Sequence, residues 1–168
     1  MRPSTRVVAP LLCACAFLAG CQTALPSGIV PEAMSLVAVQ PGQVLPYGGL
    51  AEVCDMPEGA MGRPVEVAEG YTLYDSEPGR TGPRTHYITG FDDGCARQFT
   101  GGLAMFGDLE SHAALLAAGG LPASNLDGLA SGLRGASRSV FLTVYEGFGG
   151  RVSGDILLSG GEVVGAEF

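Results

Sequence analysis

The chemically richest residues of this sequence lie together in one stretch, YDSEPGRTGPRTHYITGFDDGCARQ, which covers residues 74–98. An arginine guanidinium presents a fork of N–H donors that binds a carboxylate through two hydrogen bonds. Several such forks beside aromatic and imidazole rings would bind a partner rich in carboxylates. The stretch therefore predicts a candidate binding surface made of Arg80, Arg84, His86, Tyr87 and Arg97.

A simpler interpretation of the same stretch rests on its acidic residues. Asp75, Glu77, Asp92 and Asp93 are interspersed among the arginines. In that interpretation the opposite charges pair with one another on a solvated sheet, which is common and contributes little to stability. Composition alone favours this pairing over a dedicated binding surface.

Motifs of catalysis are missing from the sequence. It has no G-x-S-x-G elbow, no P-loop, no H-E-x-x-H and no G-x-G-x-x-G. Its two histidines, His86 and His112, are separate in sequence, and a lone histidine on a strand or helix is usually structural. The adjacent Asp92 and Asp93 belong to an Asp-Asp-Gly turn and are expected to bond their own backbone. We therefore predict no catalytic residue, no metal site, no cofactor and no enzymatic activity.

The N-terminus has the layout of an export signal. Arg2 and Arg6 precede an almost wholly apolar run from Val7 to Ala19, which is too short to span a membrane. The run ends in Leu18-Ala19-Gly20-Cys21, which resembles the lipobox of bacterial lipoproteins. That resemblance implies removal of residues 1–20 and attachment of lipid to Cys21, so that the membrane is reached through the N-terminal lipid. Several acyl chains make such an anchor stable.

The residue after the cysteine indicates which membrane holds the anchor. Gln22 stands where the retention signal of enterobacterial lipoproteins has Asp. By that resemblance the expected location is the outer membrane, facing the periplasm. Residues 21–33 are small, polar and proline-containing, which predicts a lipidated flexible tether, and residues 34–168 form a single globular domain.

The net charge of the chain limits the classes of binding partner that are expected. All 17 acidic residues follow Gly20 and two of the nine basic residues precede it, so the mature net charge is 7 − 17 = −10. Such an acidic chain, which has no lysine, is not expected to bind nucleic acid. An envelope protein or peptidoglycan is the expected kind of partner.

Two cysteines remain beyond the lipobox, Cys54 and Cys95. An exported protein meets an oxidising compartment, where an even pair of cysteines predicts a disulfide. Two unrelated free thiols are the alternative. A metal site is disfavoured because neither cysteine has a Cys or His neighbour at ligand spacing.

Residue periodicity predicts a mainly β fold of the α+β class. Period-two segments and turns indicate six or seven strands in an antiparallel sheet, either open or curled toward a barrel, with one covering helix near 108–118 that Asp108 caps. Residues 95–106 fit either a strand or a helix, and the strand is favoured because Gly101-Gly102 disfavours a helix. The segment 121–137 is predicted as a loop with at most one helical turn.

The central segments TLYDSEPG, RTHYITGF and DGCARQF are similar to those of a group of proteobacterial envelope lipoproteins with no known activity. Together with the lipobox, this resemblance implies a membrane-anchored envelope lipoprotein with a non-catalytic binding or structural role. Small lipoproteins that inhibit lysozyme are similar in size, anchor and β content. An inhibitor of an envelope hydrolase is therefore the alternative function.

Overall fold

Ten strands and two short helices make up the fold of the described residues. The computed structural model describes residues 32–147 and 150–168. The strands are β1 (Ala38–Val39), β2 (Leu50–Val53), β3 (Arg63–Ala68), β4 (Tyr71–Asp75), β5 (Arg84–Thr89), β6 (Ala96–Gly101), β7 (Leu103–Gly107), β8 (Val140–Tyr145), β9 (Val152–Ser159) and β10 (Glu162–Glu167). The helices are α1 (His112–Ala118) and α2 (Leu126–Gly132), and a 3₁₀ turn covers Glu58–Ala60.

The strands form two sheets that pack face to face. Sheet A has six strands in the order β1-β2-β6-β5-β4-β3, and sheet B has four in the order β10-β9-β8-β7. All neighbouring pairs are antiparallel except β1 with β2. The predicted mainly β class is confirmed. The described strands divide between two separate sheets and do not close into a barrel.

Alternation along the strands places one side of each sheet in a shared apolar core. Leu73, Ile88 and Phe99 of sheet A are fully buried, as are Leu142 and Ile156 of sheet B. Core residues recur at every second position along a strand, as Tyr71 with Leu73 on β4 and Ile156 with Leu158 on β9, which is the period that directs side chains to one face. The core therefore lies between the two sheets.

The chain crosses from one sheet to the other within a single residue. β6 ends at Gly101 in sheet A, and β7 begins at Leu103 in sheet B. A Cβ on Gly102 would lie 2.0 Å from the carbonyl oxygen of Tyr145, so only glycine fits this crossing. Residues 95–106 are thus strand, as favoured from the sequence, but they contribute to two strands.

The helices cover the outer face of sheet B. Leu126 and Ala130 of α2 pack with Leu133 against Phe141 and Leu157. The sequence predicts only one helical turn in this segment, whereas α2 has seven residues. Burial of apolar side chains against the sheet stabilises a helix that its two glycines would disfavour.

The helix near 108–118 begins later than predicted. α1 starts at His112, and the carboxylate of Asp108 accepts hydrogen bonds from the amides of Glu110 and Ser111 at 3.0 and 2.8 Å. Asp108 therefore caps the preceding turn and not α1. The buried side of α1 consists of His112 and Leu116, which are four residues apart.

The predicted disulfide is confirmed. Cys54 directly follows β2 and Cys95 directly precedes β6, and their Cα atoms are 4.4 Å apart. The last residues of the β2–β6 ladder, Val53 and Ala96, are directly paired, so the two cysteines face each other one step beyond it. The bond joins the ends of β2 and β6, which are neighbouring strands inside sheet A.

The first described residues bring the chain onto sheet B before it enters sheet A. The amide of Met34 donates to the carbonyl of Val163 at 2.7 Å, and Leu36 packs against the core. Residues 1–31, which contain the predicted signal segment, Cys21 and most of the tether, lie outside the described residues. Within the described part, no helix has the length and apolar character needed to cross a membrane.

Candidate functional site

One end of the sandwich interior is polar although the rest of the core is apolar. Arg84 and His86 lie on β5 four and two positions before the core residue Ile88, so all three share the inner face. Asp75 on β4 is directly opposite His86 in the register. Asp75, Arg84 and His86 are each at most 4% exposed. We refer to these three residues as the polar end.

A paired arginine and aspartate form the first part of the polar end. Nε of Arg84 lies 2.9 Å from both carboxylate oxygens of Asp75, and a terminal nitrogen lies 2.8 Å from Oδ2. Asp75 also accepts the amide of Glu77 at 2.9 Å. Such pairing is required for two buried charges, because an isolated charge at this depth would be strongly destabilising. Arg84 is therefore committed to Asp75 and is not available at the surface.

The imidazole of His86 forms the second part. Its Nε2 lies 2.7 Å from the carbonyl oxygen of Gly102, and its ring stacks on Phe99 with 4.9 Å between centroids. A carbonyl only accepts hydrogen bonds, so Nε2 carries the proton and Nδ1 is an acceptor. Burial lowers the pKa of His86 below its ordinary value of 6.5, despite the opposing effect of the Gly102 contact. Nδ1 has no hydrogen-bond partner among the described residues.

A cavity of about 360 Å³ adjoins the polar end, between the edge strand β3 of sheet A and the edge strand β7 of sheet B. Glu66 spans this gap, because its Oε2 accepts the amide of Phe106 at 2.8 Å. The cavity is lined by Val65, Glu66, Asp75, His86, Leu103, Ala104 and Met105. It thus combines apolar walls with an imidazole and two carboxylates.

The five residues of the predicted binding surface do not share one surface. Arg84, His86, Tyr87 and Arg97 are each at most 5% exposed, whereas Arg80 is exposed and paired with Glu77. Strand alternation turns Tyr87 to the opposite face from Arg84 and His86, where it packs with Tyr74 and Val53. The structure brings together Arg84 and His86 and separates them from the other three residues.

Arg97 closes the opposite end of the sandwich interior. One of its terminal nitrogens lies 2.6 Å from Asp93, 3.5 Å from Glu52 and 3.9 Å from Glu162 of sheet B. Its guanidinium also covers the ring of Phe91 at 4.3 Å. The hydrogen bonds from Arg97 hold the pKa of Asp93 below its ordinary value. The predicted pairing of arginines with Asp75, Glu77 and Asp93 is therefore present, and Asp92 pairs with Arg138.

A second buried histidine has surroundings that the sequence did not indicate. The ring of His112 stacks on Phe141 with 3.6 Å between centroids, and its Nδ1 lies 2.9 Å from Asp127 of α2. Its Nε2 lies 3.0 Å from Asp155 of β9, a close ion contact without the angle of a hydrogen bond. Burial alone would lower the pKa of His112, but the carboxylates of Asp155 and Asp127 outweigh burial and raise it above 6.5.

The arrangement around His112 links three elements. Asp127 and Asp155 are far apart in sequence, so no local motif identifies them as partners of the same ring. The only sequence signal is the spacing of His112 and Leu116, which marks the buried side of α1. Both ring nitrogens face carboxylates, so the imidazole fastens α1 and α2 to sheet B, and protonation strengthens this link.

One group of residues could be considered for a metal ion. In residues 32–147 and 150–168, Glu52, Cys54 and Cys95 bring three potential ligand atoms within 4.8 Å of one another. Metal binding by cysteine uses the thiolate, and both sulfur atoms are joined in the disulfide. This group is therefore not a thiolate metal site while the bond is intact.

Comparison of the chain with protein-family models, with curated proteins and with solved structures finds no match.

Proposed function

We propose that this chain is an exported lipoprotein of the cell envelope, anchored through lipid on Cys21, with a non-catalytic binding or structural role. The observation that carries the proposal is Leu18-Ala19-Gly20-Cys21 at the end of a short apolar run. The disulfide supports it, because such bonds persist in oxidising compartments and are rare in the cytosol. The outer membrane, with the domain facing the periplasm, is the proposed location.

A non-catalytic role is supported by how the two histidines are used. His86 contacts a backbone carbonyl, and His112 lies between two carboxylates in contacts that join structural elements. A general base requires a hydrogen-bond path to a reacting group. Both rings are at most 3% exposed and are held in place by stacking on Phe99 or Phe141, and the described residues that line the cavity beside His86 include no serine, threonine, cysteine or lysine that a base could activate.

The experiment that tests the anchor is mass spectrometry of the mature N-terminus. The wild-type protein should begin with an acylated Cys21, and Cys21→Ala should accumulate as a precursor that retains residues 1–20. Cys13→Ala and Cys15→Ala are matched controls, since they remove a cysteine from the same segment and should be processed normally. Cleavage of Cys21→Ala after Gly20, with unchanged membrane fractionation, would contradict the proposal.

The alternative, an inhibitor of an envelope hydrolase, is favoured by one observation. The mature charge of 7 − 17 = −10 is suited to a basic enzyme as partner. Recovery of one stoichiometric hydrolase from detergent-solubilised envelopes, together with loss of its activity, would support the inhibitor. Cosedimentation with purified peptidoglycan would favour the binding role. Turnover of a cell-wall substrate by the purified protein would overturn both.

A further inference from the structure

We propose that the cavity beside the polar end is a binding site for a small primary ammonium compound with a short apolar chain. The cavity has about 360 Å³ of space and opens between β3 and β7. This inference goes beyond the proposed function, because binding in the cavity does not depend on export, on the lipid or on a macromolecular partner.

The first argument concerns hydrogen bonding. His86 lines the cavity, is 1% exposed, and has an unpartnered Nδ1 within the described part of the chain. Since Nε2 donates to Gly102, Nδ1 requires a donor. A buried acceptor that lacks a donor is destabilising, because nothing compensates the loss of its hydrogen bonds to water. A ligand that brings an N–H or O–H group removes this deficit, whereas a carboxylate or phosphate anion does not.

The second argument concerns charge. Two carboxylates, from Glu66 and Asp75, line the cavity, whereas no arginine or lysine is among its described lining residues, and Asp75 is already paired with Arg84. The surplus at the cavity is therefore one negative charge. Glu66 uses Oε2 to accept the amide of Phe106, and a carboxylate retains further acceptor positions. An ammonium group is consequently favoured over a neutral hydroxyl.

The third argument concerns size and the apolar walls. Val65 and Met105 lie at the mouth of the cavity and are 48% and 47% exposed, and Leu103 and Ala104 continue the wall inward. Binding sites for small molecules typically span about 300–1,000 Å³ and place a few polar groups in apolar surroundings. This cavity lies near the lower end of that range, so it has room for a small compound with an aliphatic body.

The test uses n-butylammonium, with n-butanol and butyrate as matched probes of the same length. The mature full chain in detergent is titrated by calorimetry, and the His86 ring protons are followed by NMR. We expect n-butylammonium to bind and shift the His86 resonances, n-butanol to bind more weakly, and butyrate not to bind. Absence of binding by n-butylammonium, or tighter binding of butyrate, overturns the proposal.

Two variants locate the site without disturbing the core. Glu66→Gln keeps an oxygen for the amide of Phe106 but removes the charge. It should weaken the binding of n-butylammonium roughly tenfold or more and leave the binding of n-butanol unchanged. Val65→Trp, at an exposed position, should block the mouth and abolish binding without lowering the melting temperature. Glu110→Gln, an exposed acid outside the cavity lining, is the charge control and should bind as wild type. Equal binding by all three variants would place the ligand elsewhere and overturn the proposal.

Discussion

At the scale of single residues, the two histidines have opposite electrostatic surroundings although both are buried. Burial dominates at His86 and lowers its pKa, whereas the carboxylates of Asp155 and Asp127 prevail at His112 and raise its pKa. A group contributes pH-dependent stability only where its protonation differs between the folded and unfolded chains. The two histidines must therefore change the free energy of unfolding in opposite directions near neutral pH.

His112 is predicted to stabilise the fold in its protonated form. Between pH 6.5 and the raised folded pKa, the folded chain holds the proton and the unfolded chain does not. The contribution is complete below pH 6.5 and is lost as pH rises through the folded pKa. His112→Gln should lower the free energy of unfolding by about 1–3 kcal/mol at low pH. Urea unfolding from pH 5 to 9 should show this difference shrinking as pH rises, and a difference that grows would contradict it.

His86 is predicted to have the opposite effect. Between the lowered folded pKa and pH 6.5, the unfolded chain holds the proton and the folded chain does not. Its contribution is present above pH 6.5 and is lost as pH falls through the folded pKa. In the same urea series, acidification should destabilise wild type more than His86→Gln, which has no imidazole to protonate. Parallel pH profiles for the two proteins would show that His86 does not titrate as its burial requires.

The sequence predicts the composition of the polar end better than its arrangement. Strand period places Arg84 and His86 on one face of β5 and Tyr87 on the other, so this part follows from local spacing. The partner of Arg84 does not follow, because several acids compete and only the β4–β5 register selects Asp75. Long-range pairs such as His112 with Asp155 leave no local pattern, so sequence periodicity does not find them.

At the scale of secondary-structure elements, the β6–β7 crossing decides the fold. Phe99, Leu103 and Phe106 are also compatible with a helix, and local spacing does not resolve the two possibilities. Tertiary contacts select the strand conformation, because Gly102 lies against the backbone of Tyr145 and supplies the carbonyl that His86 contacts. The sequence pattern therefore does not show that this segment divides into two strands that belong to different sheets.

Gly102→Ala is predicted to be strongly destabilising. Its Cβ would lie 2.0 Å from the carbonyl oxygen of Tyr145 and 2.8 Å from the amide nitrogen of Gly147, both backbone atoms that cannot move aside cheaply. We expect a loss of about 1–3 kcal/mol or more in the free energy of unfolding. Gly107→Ala is the matched control on β7, since a Cβ there meets nothing within 4 Å, and it should be neutral or slightly stabilising. Similar denaturation midpoints for both variants would exclude this account of the crossing.

The helices illustrate why element boundaries are less predictable than element types. Asp108 has the residue type of an N-cap, yet the turn that it closes with Glu110 and Ser111 ends before α1 begins. α2 contains Gly128 and Gly132 and forms because Leu126 and Ala130 reach an apolar sheet face. That face exists only after sheet B has assembled, so propensity underestimates the helix.

At the scale of the whole molecule, the apolar core between the sheets is supplemented by a covalent bond within sheet A and by two edge contacts. The Cys54–Cys95 bond closes a loop with a sequence separation of 41 residues. Glu66 with Phe106 links the sheets at one edge, and Met34 with Val163 links the N-terminal segment to sheet B at the other. The even cysteine count, with the export signal expected from the sequence, predicts the bond, but the face-to-face packing of two sheets requires the register of all strands.

The double variant Cys54→Ser/Cys95→Ser is predicted to lose up to about 4 kcal/mol of unfolding free energy, the chain-entropy value for a loop of this length. The physical reason is that the unfolded chain regains the freedom that the bond removes. Thermal unfolding measures the loss. In the unreduced wild-type protein, a thiol reagent should modify neither cysteine until the chain is denatured and reduced. Reaction of Cys95 in the native state would show that the bond is absent.

The position of the disulfide also determines how the molecule responds to mechanical load. Force applied from the N-terminal side reaches Met34, then the two-residue strand β1, then β2, before it meets Cys54. These contacts can separate one after another, and residues 34–53 would then extend by about 65 Å of chain, at roughly 3.3 Å per residue. At Cys54 the load passes through the covalent bond directly to Cys95 and β6. The chain between the two cysteines is therefore shielded from the pull, so the N-terminal segment can lengthen under tension without unravelling β3, β4 and β5.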